Sequence, residues 1–195
     1  ELMKAQDDLF NPQYWNDFIG CIRSSGFRNA QLIKNDSALI FAYALYLIGK
    51  VDLDIESTAL KRGVRQWFFM SVLTSRYASS SDSKTEYDLN RFVGISSEDF
   101  LPIIQAECDS VLTDDYWSLS LPNQLAGATP RSALVHAYHA SHIALGATAL
   151  YSHQLLVDVL DKNKSGVRGP VERHHLFPRA YLASQGIKSR KHTDQ

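Results

Sequence analysis

A chain of 195 residues, 45% of them hydrophobic, is long enough to bury one core with a small appendage, and it contains no internal repeat or low-complexity tract. Twenty Lys and Arg against 21 Asp and Glu leave a formal net charge of -1, which excludes a protein that engages nucleic acid through global charge alone. Two cysteines, Cys21 and Cys108, each within apolar helix-like sequence, make neither a metal-ligand spacing nor a disulfide framework and fit a reducing cytoplasm.

In chain order the apolar periodicity is helical almost throughout. Tyr14, Trp15, Phe18, Ile19 and Ile22 predict a helix over 13–24 with Gly26 as its stop. Asp36 is placed to cap "SALIFAYALYLIG", which is apolar on nearly every side and is expected to be central. The segment 56–77 reads as one long amphipathic helix with Leu60, Val64, Trp67, Phe68 and Val72 inward and Lys61, Arg62 and Arg65 outward. "ASSSDS" predicts a loop, followed by a helix from Ser83 through Phe92 that Gly94 ends. Ser96 and Asp99 form an imperfect capping box at the head of "SSEDFLPIIQAECDSVL". Thr129 and Pro130 have the chemistry to open the helix "RSALVHAYHASHIALGATAL". Only the histidine-interrupted region 137–150 approaches the length of about 18 apolar residues that a membrane span needs, and there is no signal peptide. A cytoplasmic protein without membrane contact is expected. The glycine-containing break "KNKSGVRG" then leads to "PVERHHL", the first strand-like run. The expected architecture is mainly α: a helical bundle over 1–160 and a small β-containing unit over 161–195.

Charge concentrates at that end. From Arg168 to Gln195 six basic residues face two acidic ones, a local net of +4. The adjacent His174 and His175 sit in this basic segment. Hydrolysis of a phosphodiester needs a base to deprotonate water and a cation to stabilise the departing oxygen. Neighbouring residues on a strand point to opposite faces, so one imidazole can bind a metal while the other meets water. Glu172 is close enough in sequence to orient either from behind.

The string "VERHHLFPRAYL" resembles the first half of an HNH, or ββα-metal, nuclease motif. Together with "VRQWFFMSVLTSRYASSSDSKTEYDL" and "ASHIALGATALYS", it is similar to the C-terminal helical and nuclease regions of GmrSD-type modification-dependent restriction enzymes. That resemblance implies His174 as a metal ligand, His175 as general base, and Mg²⁺ or a transition metal as cofactor. It further implies DNA as the partner, with Arg173, Arg179, Lys188 and Arg190 on its backbone. The family's nucleotide-binding domain and the later Asn of the nuclease motif have no counterpart among these residues, and His192 is the last nominal ligand. The chain is therefore expected to be part of a phage-defence endonuclease, with an incomplete and weakly active centre of its own. Oligomeric state is not legible.

Other groups compete with this assignment. His136, His139 and His142 share one predicted helix and, with His153, suggest a metal-binding regulator, although at about 100° per residue the three fan across about 120°. Arg62, Arg65, Arg76 and Lys84, with Ser79, Ser80 and Ser81, are candidate phosphate contacts or a solvated face. Trp67, Phe68, Phe69 and Tyr77 read as core before they read as a base-stacking platform. A helical recognition or assembly module with an inactive nuclease remnant is the alternative function.

Overall fold

Three of the described helices begin where a side chain takes up free N–H groups, and five are followed by a residue that turns left-handed. The computed structural model describes residues 2–28, 30–34, 36–78, 81–129, 131–150, 152–160 and 179–187. After α1 (Leu2–Leu9), Asn11 accepts the Gln13 N–H at 2.9 Å and Pro12 fills the first turn of α2 (Pro12–Ser24). The chain leaves α2 at Gly26, φ +92°, where an added Cβ would lie 1.8 Å from the Ala140 carbonyl oxygen. Glycine there serves both the left-handed turn and the close approach. Helix α3 (Asp36–Leu47) widens into a π-turn at Ile48–Asp52. Glu56 caps α4 (Ser57–Leu73), accepting from Thr58 N at 2.7 Å and Ala59 N at 2.8 Å. Those backbone hydrogen bonds hold its carboxyl below the ordinary range. Helices α5 (Ser81–Asn90) and α6 (Ser97–Val111) follow, then a second π-turn at Tyr116–Ser120 that runs into α7 (Leu121–Gly127). The described chain ends with α8 (Ala133–Ala144), α9 (Leu156–Leu160) and α10 (Arg179–Ser184).

The protein is mainly α-helical, as the periodicity predicts. Among the described residues β-pairing is limited to an isolated antiparallel bridge between Thr148 and Leu155, slightly earlier than the expected β-region. The strand-like run 170–176 lies outside the described residues. No described helix is long and apolar enough to cross a membrane.

Three boundaries differ from expectation for identifiable reasons. Helix α4 stops at Leu73 instead of Tyr77, because Ser75 turns left-handed at φ +52° and Arg76 N–H bonds back to the Ser71 carbonyl at 2.9 Å. This is a Schellman closure with serine where glycine is usual. Helix α8 is capped by Ser132, whose hydroxyl accepts the Val135 N–H at 3.3 Å, and not by Thr129. It ends at Ala144 and not Leu150: Gly146 is left-handed, and Ala147 N–H reaches the His142 carbonyl at 2.9 Å. The Ser96 hydroxyl donates to the Asp99 carboxylate at 2.6 Å and accepts no backbone N–H of α6, so the expected capping box is replaced by a side chain–side chain bond.

Helix α4 is the centre of the bundle, packed against α2, α3, α6 and α8. Its inward residues Leu60, Val64, Trp67, Phe68 and Val72 are all buried. Phe41 of α3 stacks on Trp67 at 5.4 Å, and Phe27 meets Phe68 edge-on at 5.0 Å. Helix α3 is buried along much of its surface yet leaves Ile40 exposed, so it lies one layer further out than expected.

A polar cluster closes the end of this core. Trp67 Nε1 donates to Tyr77 Oη at 3.1 Å, and Tyr77 Oη donates to Asp88 Oδ2 at 2.8 Å. Arg76 grips both Asp88 oxygens at 2.7 Å, lies over the Trp67 ring, and also donates to Glu107, which Arg91 reaches from the other side. Burial and the adjacent Asp88 carboxylate push the Tyr77 hydroxyl pKa up. Burial raises the Glu107 carboxyl, but hydrogen bonds from Arg91 and Arg76 and their charges outweigh it and bring the group below its usual range.

Serine pays the left-handed cost at position 75 that glycine escapes, so Ser75→Gly is expected to raise unfolding free energy by about 1 kcal/mol in urea titrations. Removing one partner of a buried pair leaves a charge uncompensated, so Arg76→Ala should cost about 3–5 kcal/mol. The double change with Asp88→Ala should cost less than the sum of the two single changes. Because the folded pKa of Glu107 is depressed, its contribution is complete above the unfolded value of about 4.3 and fades as pH falls through the lower folded value. Glu107→Gln should flatten the acid limb of a stability-against-pH curve, and an unchanged limb would refute that role.

Candidate functional site

The nuclease-like candidates Glu172, Arg173, His174, His175, Lys188 and Arg190 lie outside the described residues, as does His192. Arg179, the first described residue after the "HHLFP" string, lies in α10. Its end is a second glycine-based Schellman closure. Gly186 stands at φ +81°, Ile187 N–H bonds to the Leu182 carbonyl at 3.0 Å, and Gly186 N–H bonds to Ala183 at 3.1 Å.

The competing phosphate set separates. Arg76 is withdrawn into the Asp88–Glu107 cluster with its side chain 5% exposed, and is not a phosphate contact. Its position beyond the left-handed Ser75 turns it inward, where helical periodicity had set it on the surface. Lys84 is 3.8 Å from Asp88 and lies over the Tyr87 ring. Ser79 and Ser80 lie outside the described residues. Arg62 is exposed, and Arg65 is half-buried with Nη1 donating to Ser24 Oγ at 3.2 Å. Trp67, Phe68 and Tyr77 are core, with Phe69 partly buried against it.

The helical histidines follow the fan of their spacing. His136 is buried, whereas the His142 ring packs 4.2 Å from Tyr138 and its Nδ1 bonds the Tyr138 carbonyl at 2.9 Å. His153 is exposed. Among the described residues no three His, Cys, Asp or Glu side chains are placed to hold a metal ion.

What the bundle does assemble is an open groove of about 570 Å³, walled by α4, α6, the π-turn before α7, and α8, with Ser24 at the end of α2. Met70 and Cys108 are buried beneath it, and Phe69 and Leu112 are half-buried. Trp117 of the π-turn stands at its side, 47% exposed. Along the rim Gln66 Nε2 donates to Gln105 Oε1 at 3.2 Å, and Gln105 Nε2 donates to Asp109 Oδ1 at 2.7 Å. The segment 113–127 has no clean apolar period, so no pattern marks Trp117 as a site residue. A second groove of about 570 Å³, where Phe10, Trp15 and Ile40 come together, is almost wholly apolar, and the Tyr43 hydroxyl on its lining is already spent on the Leu9 carbonyl at 3.0 Å.

Neither cysteine is poised for chemistry. Burial pushes the Cys108 thiol up to about 11, with Asp109 and Glu107 adding to the shift. Burial likewise carries Cys21 up to about 11 despite Arg65 and Lys61, and its Sγ donates to the Lys61 carbonyl at 3.3 Å. Both thiols are expected to resist a disulfide reagent at pH 8 in native protein and to react together on unfolding. Rapid native labelling of either would contradict this.

No protein-family model, no curated protein and no solved structure matches this chain, so its function is argued from the residues themselves.

Proposed function

We propose that this chain is the helical scaffold and the opening of the catalytic segment of a metal-dependent DNA endonuclease of a prokaryotic defence system. The observation that carries the proposal is the string "ERHHLFP" followed by helix α10, described from Arg179 onward. On this reading the β-containing unit is built around 170–176, and the helical part over 1–160 positions it. Two imidazoles with a carboxylate two residues upstream of the first are a donor set suited to a divalent cation such as Mg²⁺, Mn²⁺ or a transition ion. The ion, when bound, supplies charge stabilisation at the departing oxygen. His174 would hold it, with Glu172 orienting the ring. His175 would take the proton of the attacking water at a ring nitrogen, a task for which imidazole is the usual side chain. Arg173, Arg179, Lys188 and Arg190 would lie along the DNA backbone, as six basic residues against two acidic ones from 168 onward favour.

The test is cleavage of plain and modified DNA by full-length protein containing this segment, with Mg²⁺ or Mn²⁺. His175→Ala is expected to cut turnover by about 10²–10⁴-fold with metal affinity retained, the usual contribution of a general base. His174→Ala is expected to raise the metal concentration needed for half-activity. Absence of cleavage on every DNA form, or indifference to His175→Ala, would move the assignment to a helical recognition or assembly module.

A further inference from the structure

The groove between α4, α6 and the π-turn is lined both by apolar and aromatic side chains and by hydrogen-bonding ones. The π-turn divides its two aromatic residues. Tyr116 is half-buried, its hydroxyl donating to the Leu73 carbonyl at 3.4 Å, while Trp117 stands 47% exposed with its ring edge-on to Tyr116 at 5.7 Å. A π-turn is an uncommon distortion that recurs at functional sites. Here it fixes a large flat ring beside a groove and leaves about half of it in water.

The same lining includes a chain of amides ending on a carboxylate. The bonds from Gln66 to Gln105 and from Gln105 to Asp109 use one N–H of each amide and one Asp109 oxygen. Among the described residues this leaves the Gln66 carbonyl, a second N–H on each amide and the other Asp109 oxygen for a ligand. An aliphatic ligand would strand those groups, whereas a heterocycle with alternating donors and acceptors on its edge would satisfy them. Arg65 adds a cation at the same rim, with one guanidinium nitrogen on Ser24 and the rest of its donor fork unspent among the described residues. Of the basic residues of α4 Arg65 lines the groove, and the helix carries no carboxylate within 57–73 to neutralise it.

We propose that the groove binds a single nucleotide, its base stacked on Trp117 and read by Gln66, Gln105 and Asp109, its phosphate on Arg65. The same chemistry is offered by a free mononucleotide and by a nucleotide unstacked from a nucleic-acid strand. A volume of about 570 Å³ lies within the range of small-molecule sites.

The test titrates the 195-residue protein with each of the four deoxynucleoside monophosphates and with a short single-stranded oligodeoxynucleotide, following tryptophan emission and heat. At least one of these is expected to quench emission saturably. Binding of mononucleotides assigns a free nucleotide; binding of the oligonucleotide alone assigns a strand. In either case Trp117→Ala should weaken the dissociation constant roughly tenfold or more, as loss of a stacking platform does. Arg65→Ala should weaken nucleotide binding while leaving the matching nucleoside unaffected, and Gln105→Leu should reorder the preference among bases. Trp117 and Gln105 are exposed, so these variants should keep the wild-type circular dichroism spectrum. This binding does not rest on the nuclease reading, and Lys50→Ala, an exchange outside the groove, should leave it unchanged. Absence of binding by every probe, or binding indifferent to both Trp117→Ala and Arg65→Ala, would overturn it.

Discussion

One buried carboxylate organises this bundle. Asp88 is fully inaccessible, and an isolated anion in that position would cost several kcal/mol in lost hydration. It is tolerated because Arg76 meets both its oxygens, Tyr77 donates a third hydrogen bond, and Lys84 lends charge from one helical turn away. Each donor belongs to a segment that must then stay where it is. The turn after α4 is pinned to α5 by Asp88 and to α6 by Glu107, and Trp67 is fixed from two directions, through its N–H and through the guanidinium over its ring.

The groove inherits its shape from the same constraint. Glu107 faces the arginines, so its neighbours on α6 are committed: Gln105 comes alongside Gln66 of α4, and Cys108 and Asp109 turn toward the groove. Tyr116 then ties the π-turn to the last residue of α4. A site on the outside of the bundle is thereby held by an ion-pair cluster at its end, with α4 as the shared element.

Legibility followed local chemistry. Gly26 and Gly94 announced left-handed turns and delivered them, and the inward face of α4 was visible in its apolar spacing because five buried residues repeat at 3.6. What failed was chemistry that a side chain conceals. Ser75 turns left-handed without the glycine that would have marked it, and this moved Arg76 from a solvated face into the core. Thr129 and Ser132 are both good caps, and only tertiary packing chooses between them. The π-turns break the 3.6 period that pattern reading depends on, which hid Trp117. The His-His segment was found through its resemblance to a nuclease motif. Its described portion, α10, is the part that elementary rules also foresee, a helix between a proline and a glycine.

The contact between Gly26 and the carbonyl of Ala140 joins residues separated by most of the sequence. Closing a chain over that span is entropically slow compared with packing neighbouring helices, so the order of events during synthesis is implied. The hairpin of α3 and α4, then α6, can condense while the C-terminal third is still emerging. Helix α8 can seat only after it has been made, its backbone entering the slot that a missing side chain keeps open. A carbonyl seated that tightly resembles a key meeting its ward: any side chain at position 26 would fill the slot and hold α8 away from α2.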